Sequence, residues 1–278
     1  MRLSKISNKI YADTEGKTGG NVGIILTENY LIAVDAQYPA SGRIFRKTAE
    51  EITGKKVTHL ILTHYHSDHI FGAQAFEDCK IIAHKTLREI VEENLKTIWS
   101  RQELKKMIER IRRERPERAW LYEGLKIVLP NQTFEEKYVI ENVEIIHMGG
   151  HTEDSSIVYV PKDKVMFAGD LVFSKMFPWG GDRTANPDKW IEAFRRMLEM
   201  DVEKIVPGHG PICNKEEIKI QLKYFEEVRK KMKELIEKNV PLEKAIEEIY
   251  TIPFYKPMRE EMKRRTLEQW YKFWLKNK

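Results

Sequence analysis

Six consecutive residues, His64-Tyr65-His66-Ser67-Asp68-His69, include four side chains able to bind a metal. They follow an apolar run, Val57 to Thr63, that predicts a buried β-strand. If the strand ends where the histidines begin, four donor side chains leave one tight turn. His64 and His66, two apart, can point toward one cation, while Asp68 and His69 can reach a second. Neutral imidazole with carboxylate suits zinc, with iron or manganese as competitors. One such cluster cannot close a dinuclear site, so more donors are required downstream. Three stand in glycine-rich settings that suit loops: His151 in Gly149-Gly150-His151-Thr152, Asp170 in Ala168-Gly169-Asp170, and His209 in Pro207-Gly208-His209-Gly210. A lone histidine beside a strand is ordinarily a hydrogen-bonded core residue, and His59, His84 and His147 are read that way. Four polar groups at one strand end are costly to bury unless something binds them.

The series HxHxDH, GHT, GD and GHG resembles the metallo-β-lactamase-fold hydrolases, over roughly residues 20 to 212. The resemblance implies an α/β fold, an αββα sandwich of two packed sheets covered outside by helices. It implies His64, His66 and His151 around one metal, and Asp68, His69 and His209 around a second, with Asp170 bridging. Two divalent cations, most simply zinc, would hold a bridging hydroxide at neutral pH, and Asp68 would be the catalytic residue that orients it. In that family an acidic residue at the place of Asp35 supports the metal loop from behind. Asp170 stands where the secreted zinc β-lactamases with a metal-binding cysteine carry that cysteine. The ligand set is therefore glyoxalase-II-like, shared with thioesterases, lactonases and RNA-processing nucleases. Thr133-Phe134, the run Gly169 to Phe173 and a helical tail are most similar to the sulfur-oxidation and quinoprotein-relay type.

The expected reaction is hydrolysis of an ester, thioester, lactone or lactam of a small molecule. A phosphodiesterase or nuclease is one alternative, weakened because the long insertion of the RNA-cleaving branch is missing. A di-iron redox protein is the other. Against it, His66 stands where the flavodiiron pattern has Glu, and no flavodoxin domain follows.

The rest of the chain has to position these donors. Its 278 residues suffice for one large domain with an appendage, and 41% are hydrophobic, enough for a core. Charged residues reach 33%, with Lys and Glu dominant and Gln scarce, a balance that hints at a hot habitat. A net charge of +5 is small beside 48 basic and 43 acidic residues, so nucleic acid is not required as a partner. Cys79 and Cys213 form no metal or disulfide pattern and suit a reducing cytoplasm. The N-terminus shows no signal peptide, and no run reaches the ~20 apolar residues of a membrane span. A cytoplasmic protein is expected, without a membrane partner.

Val22 to Leu26 and Tyr30 to Val34 predict a β-hairpin. Ile44 to Ile52 reads as a helix, Ile70 to Phe76 as the helix after the metal turn, and Ile81 to Ala83 as a strand. Residues 85 to 118 read as a helical insertion carrying eleven Lys and Arg against seven Glu. Its charges alternate in sign, which favours a solvated outer face over a phosphate-binding patch. Ile127 to Leu129, Phe134 to Ile140 and Val143 to Met148 read as strands, and Ser156 to Val160 with Val165 to Ala168 as a hairpin. Trp190 to Met200 reads as a helix and Ile205-Val206 as a last short strand. The boundary is set at residue 212. Beyond it Asn214, with Glu217 three residues on, signals a helix start, and Leu242 to Tyr250 and the Met262 to Trp274 region complete a helical extension, 213 to 278. Its aromatic residues are expected to pack on the main domain, with lining the substrate cleft or burial in a homodimer as the other uses for them.

Overall fold

The computed structural model describes residues 1–278. Its first sheet contains β1 (Ser4–Lys5), β2 (Ile10–Asp13), β3 (Val22–Leu26), β4 (Leu31–Val34), β5 (Val57–Ile61), β6 (Lys80–His84) and β7 (Gln132–Phe134), in that spatial order. Strands β1 to β4 are antiparallel neighbours, and β4 to β7 run parallel. The second sheet contains β8 (Lys137–Ile140), β9 (Val143–His147), β10 (Ser156–Val160), β11 (Val165–Phe173) and β12 (Lys204–His209), in the order β12-β11-β10-β9-β8. Only β11 and β12 are parallel there. The helices are α1 (Pro39–Thr53), α2 (Ser67–Ile70), α3 (Lys85–Lys96), α4 (Arg101–Glu114), α5 (Pro187–Glu199), α6 (Lys215–Glu237), α7 (Leu242–Tyr250) and α8 (Glu260–Lys276).

Three apolar layers hold these elements. Between the sheets, Ile25, Ile32 and Ile61 meet Ile145, Val158 and Phe167. On the outside of the first sheet, Ile24, Leu60 and Ile81 meet Phe45 of α1, Leu87 of α3 and Trp99. On the outside of the second, Ile157, Met166 and Ala168 meet Trp190, Phe225 and Trp270. Each central strand is thus covered on both faces, which is why the strands read as unbroken apolar runs rather than alternating ones. The result is the αββα sandwich with a helical C-terminal extension.

Local capping sets several boundaries. The side chain of Asn186 accepts a hydrogen bond from Lys189 N at 3.0 Å, and Pro187 follows in the first turn of α5. The side chain of Asn214 caps α6 by accepting from Glu216 N at 2.9 Å. Glu217 does not return to the cap; it is buried, accepting from Gln221 and from the Tyr255 hydroxyl.

Other expectations need correction. Ile127 to Leu129 forms no strand and packs, partly buried, against the outer layer of the first sheet. Phe134 to Ile140 is not one strand but two, because the chain leaves the first sheet at Phe134 and joins the second at Lys137. The span after the metal turn, Phe71–Phe76, is a 3-10 helix preceded by the short α2. In the insertion, α3 buries Leu87, Ile90 and Val91, whereas α4 has no fully buried residue. Its charges pair along the helices, Arg88 with Glu92 at 2.9 Å and Lys106 with Glu103 at 2.7 Å, as a solvated face does. No helix is long and apolar enough to cross a membrane.

The extension shares its core with the second sheet. Phe225 of α6 is 1% exposed, with ring centroids of Trp270, Trp190 and Phe194 at 4.5, 5.0 and 5.1 Å. Phe225→Ala is therefore expected to lower the unfolding free energy by ~3–5 kcal/mol in urea titrations. A loss below ~1 kcal/mol would show that the extension is only loosely attached to the sheet.

Candidate metal centre

Strand β5 ends at Ile61, and the next two residues carry the chain to His64 at the edge of the sandwich. Thr63 locks that exit. Its amide and hydroxyl each donate to Asp35, to Oδ1 and Oδ2 respectively, both at 2.8 Å, and its carbonyl accepts from Ser156 N at 2.9 Å, across to the second sheet. Asp68 and His69 then lie in the single turn of α2. His151 sits in the connection from β9 to β10, and His209 is the last residue of β12. Asp170 is not in a loop, as its glycine context suggested, but inside β11 where the register with β12 is irregular. Asn21 holds the His209 turn from the other sheet: its side-chain amide donates to Pro207 O at 2.8 Å and Gly210 O at 2.9 Å. Gly208 is required for close approach, since a Cβ there would fall 2.0 Å from Asp170 Oδ1.

All seven side chains singled out in the sequence come together, in two groups of donor atoms: His64, His66, His151 and Asp170, and Asp68, His69 and His209. In the first, His66 Nδ1 lies 3.1 Å from His64 Nε2 and 2.9 Å from His151 Nε2. In the second, His209 Nε2 lies 3.3 Å from Asp68 Oδ2. Asp170 faces both. Its Oδ2 is 3.7 Å from His64 Nε2 and 3.5 Å from His151 Nε2, while its Oδ1 is 3.1 Å from His69 Nε2 and 3.4 Å from His209 Nε2.

The ring orientations are imposed from behind. His69 Nδ1–H donates to Asp35 Oδ2 at 2.8 Å, and His64 Nδ1–H donates to Thr63 Oγ1 at 3.1 Å. His66 Nε2–H donates to Asp182 Oδ2 at 3.1 Å, which turns Nδ1 of that ring toward the group. Asp182 is itself held by the Tyr65 hydroxyl and by the amide and hydroxyl of Thr184, at 2.7 and 2.6 Å. Donating one ring nitrogen outward leaves the other as a lone pair facing inward, the arrangement that metal-binding imidazoles use.

Burial pushes His64 well below its ordinary pKa and His151 down to about 3, so both rings stay neutral and keep their lone pairs. The second group behaves oppositely. Burial works against charge on His209, yet Asp170 and Asp68 hold its pKa up at about 10. His69 is raised for the same reason, by Asp170, Asp35 and Asp68 against the effect of burial. Protons there balance carboxylate charge that a cation would otherwise balance.

Whether a metal suits these residues can be judged from unpaired atoms. His69 Nε2 and Asp170 Oδ1 are buried 3.1 Å apart and make no well-formed hydrogen bond to each other or to any other group. Buried polar groups left in this state cost ~1–3 kcal/mol each unless something binds them. Three imidazole nitrogens facing one another at about 3 Å also match a tetrahedral zinc, whose ~2.0–2.1 Å bonds put ligand nitrogens roughly 3.3 Å apart. The donor set fits divalent cations.

His59, His84 and His147 stand outside both groups. His84 and His147 stack on each other, ring centroids 3.8 Å apart. Sequence reasoning missed Asp182, Thr63 and Asn21. Trp179 was missed as well; its ring centroid lies 4.9 Å from that of His66 and 5.9 Å from that of His151. None of these carries a local signal: Asp182, Asn21 and Trp179 act on residues distant in sequence, and Thr63 is set in place by Asp35, 28 residues away.

Comparison with known proteins identifies the family. A family model described as the metallo-beta-lactamase superfamily matches residues 16–209. The chain is 25% identical over 229 residues to a metallo-beta-lactamase type 2 of Bacillus sp. (strain 170), covering 77% of this chain and 78% of that one. It is 26% identical over 200 residues to the acyl-coenzyme A thioesterase MBLAC2 of Gallus gallus, covering 68% and 65%. Among solved structures, a metallo beta lactamase from Hirschia baltica superposes with a TM-score of 0.63 at 20% identity, over 81% of this chain and 96% of that one. With the fold, the converging histidines and aspartates and the matched span in agreement, the chain belongs to the metallo-β-lactamase superfamily of metal-dependent hydrolases.

Proposed function

We propose that this enzyme is a dinuclear hydrolase acting on the acyl carbonyl of a small ester, thioester, lactone or lactam. His64, His66 and His151 would hold one divalent ion, and Asp68, His69 and His209 the other. The observation that carries the reading is the divided carboxylate of Asp170, with one oxygen toward each donor group. Two cations bound there, most simply zinc, would supply an activated water at neutral pH and polarise the substrate carbonyl.

The protein's own residues divide the remaining work. Asp170, 4% exposed in its side chain, is sealed between the groups and serves to hold them together. Asp68, 24% exposed, is open enough to meet water and substrate. Its carboxylate stays ionised because His69 and His209 offset the cost of burial, so it can accept a hydrogen bond from an attacking water and orient it. Trp179 walls the first group with an aromatic surface. Two relatives lend support by name, a metallo-beta-lactamase and an acyl-coenzyme A thioesterase. The run Gly169 to Phe173 and the helical extension keep the sulfur-oxidation and quinoprotein-relay type as the subgroup within this reading.

Metal analysis of reconstituted protein is expected to saturate at two zinc per chain, since seven donors exceed what one tetrahedral zinc takes. The same preparation is expected to hydrolyse at least one of nitrocefin, S-lactoylglutathione and homoserine lactone faster than bis-p-nitrophenyl phosphate. Saturation at one metal rejects the dinuclear site. Turnover of the phosphodiester alone rejects the acyl substrate class.

A further inference from the structure

The loop that follows β11 passes between the first donor group and the C-terminal extension. On one side, its Trp179 and Asp182 face His66. On the other, its backbone is fastened to the extension at several points. Phe177 N donates to Lys256 O at 3.2 Å, in the segment that joins α7 to α8. Gly180 N donates to the Thr266 hydroxyl of α8 at 2.9 Å. Gly180 is pressed so closely onto that helix that a Cβ would lie 2.7 Å from Trp270 Nε1 and 3.1 Å from Thr266 Cγ2.

Thr266 is fully buried, and its hydroxyl proton goes to Met262 O of its own helix at 3.0 Å. The lone pairs therefore remain for the Gly180 amide. Two residues beyond Gly180, Asp182 sets the orientation of the His66 ring. A continuous path thus runs from α8 through one backbone amide to a carboxylate and then to an imidazole of the first group. The second group is held by other contacts: Asp35, beside β4, orients His69, and His209 stacks on Phe173, whose backbone is held by Gln221 of α6 and not by α8.

We propose that Thr266 is a positioning residue for the first metal, acting through Gly180 and Asp182 on His66. The extension is then part of the metal site and not only a cover for the second sheet. This rests on the two-metal reading. Thr266→Val keeps the shape of the side chain but removes the acceptor, leaving the buried Gly180 amide unpaired and the loop free to shift. Thr266→Ser keeps the acceptor.

The test is a competitive zinc titration of the full-length apoprotein against a chromophoric chelator. Outer-shell partners of metal ligands contribute 10–100-fold to affinity. Asp182→Asn is expected to weaken one zinc equivalent within that range, and Thr266→Val to weaken the same equivalent by roughly tenfold, the low end of it. The other equivalent stays unchanged, and Thr266→Ser restores the wild-type titration. Fluorescence adds a second readout. The Trp179 contribution, taken as the difference from Trp179→Phe, is quenched by bound cobalt in the wild type and less quenched in Thr266→Val. Should Thr266→Val weaken both equivalents alike, or neither, the proposal is overturned. If Thr266→Val does not fold, Gly180→Ala lifts the same segment from α8 and must show the same selective loss. A wild type that binds a single equivalent counts against the two-metal reading, and Thr266 is then judged by whether its loss weakens that equivalent.

Discussion

Asp170→Asn protein, loaded with zinc and then passed over a chelating resin, is expected to retain less than one zinc per chain. Asp170 alone offers an oxygen to both donor groups, at 3.1 to 3.7 Å from four different imidazole nitrogens. Asparagine keeps one oxygen and replaces the other with an amide that cannot bind a cation. One group then loses its only link to the carboxylate and the other loses its charge. Burial makes the change worse, because there is no solvent at a side chain 4% exposed to compensate. The affinity loss should exceed the 10–100-fold typical of outer-shell changes at both sites. Retention of two zinc per chain after the resin would show that Asp170 does not join the groups.

Asp68→Asn is expected to behave differently, keeping the first metal while turnover on the best acyl substrate falls by ~10²–10⁴. Asp68 belongs to the second group only, 3.3 Å from His209 Nε2 and 4.0 Å from His69 Nε2. Its amide analogue can still present an oxygen but accepts no proton from water. The measurement pairs metal stoichiometry with turnover on one preparation. Near-wild-type turnover in a chain that has lost the second metal would mean that the chemistry needs the first group alone. The two aspartates therefore separate assembly of the site from its reaction: Asp170→Asn loses metal, and Asp68→Asn loses rate.

Much of this site was legible before any folding was considered, for a physical reason. His64, His66, Asp68 and His69 lie within six residues, so one strand exit decides where all four go. The strand itself announces its end, because a run buried on both faces must be apolar and cannot continue through four polar side chains. The tail was equally legible. Residues Ile218, Leu222, Phe225, Val228, Met232 and Leu235 follow helical spacing, and all but the partly buried Leu222 are buried along α6. Less legible were the places where two layers meet. The run from Phe134 to Ile140 has β-forming residues throughout, but nothing in its composition says that it changes sheets between Phe134 and Lys137.

By itself, then, the sequence determined which side chains are available for chemistry and which segments end beside one another in the chain. Spacing alone linked His64 with His66, and Asp68 with His69, while the resemblance placed His151, Asp170 and His209 with them. Only the tertiary structure decided how these donors face one another. It puts Asp170 at an irregularity of β11 so that its two oxygens diverge, and it brings Asp182 to His66 across 116 residues. It also sets Thr266 under the loop that carries Asp182. Such contacts depend on which faces of distant elements are buried together. That choice is made by the packing of two sheets and a helical layer, and local periodicity carries no record of it.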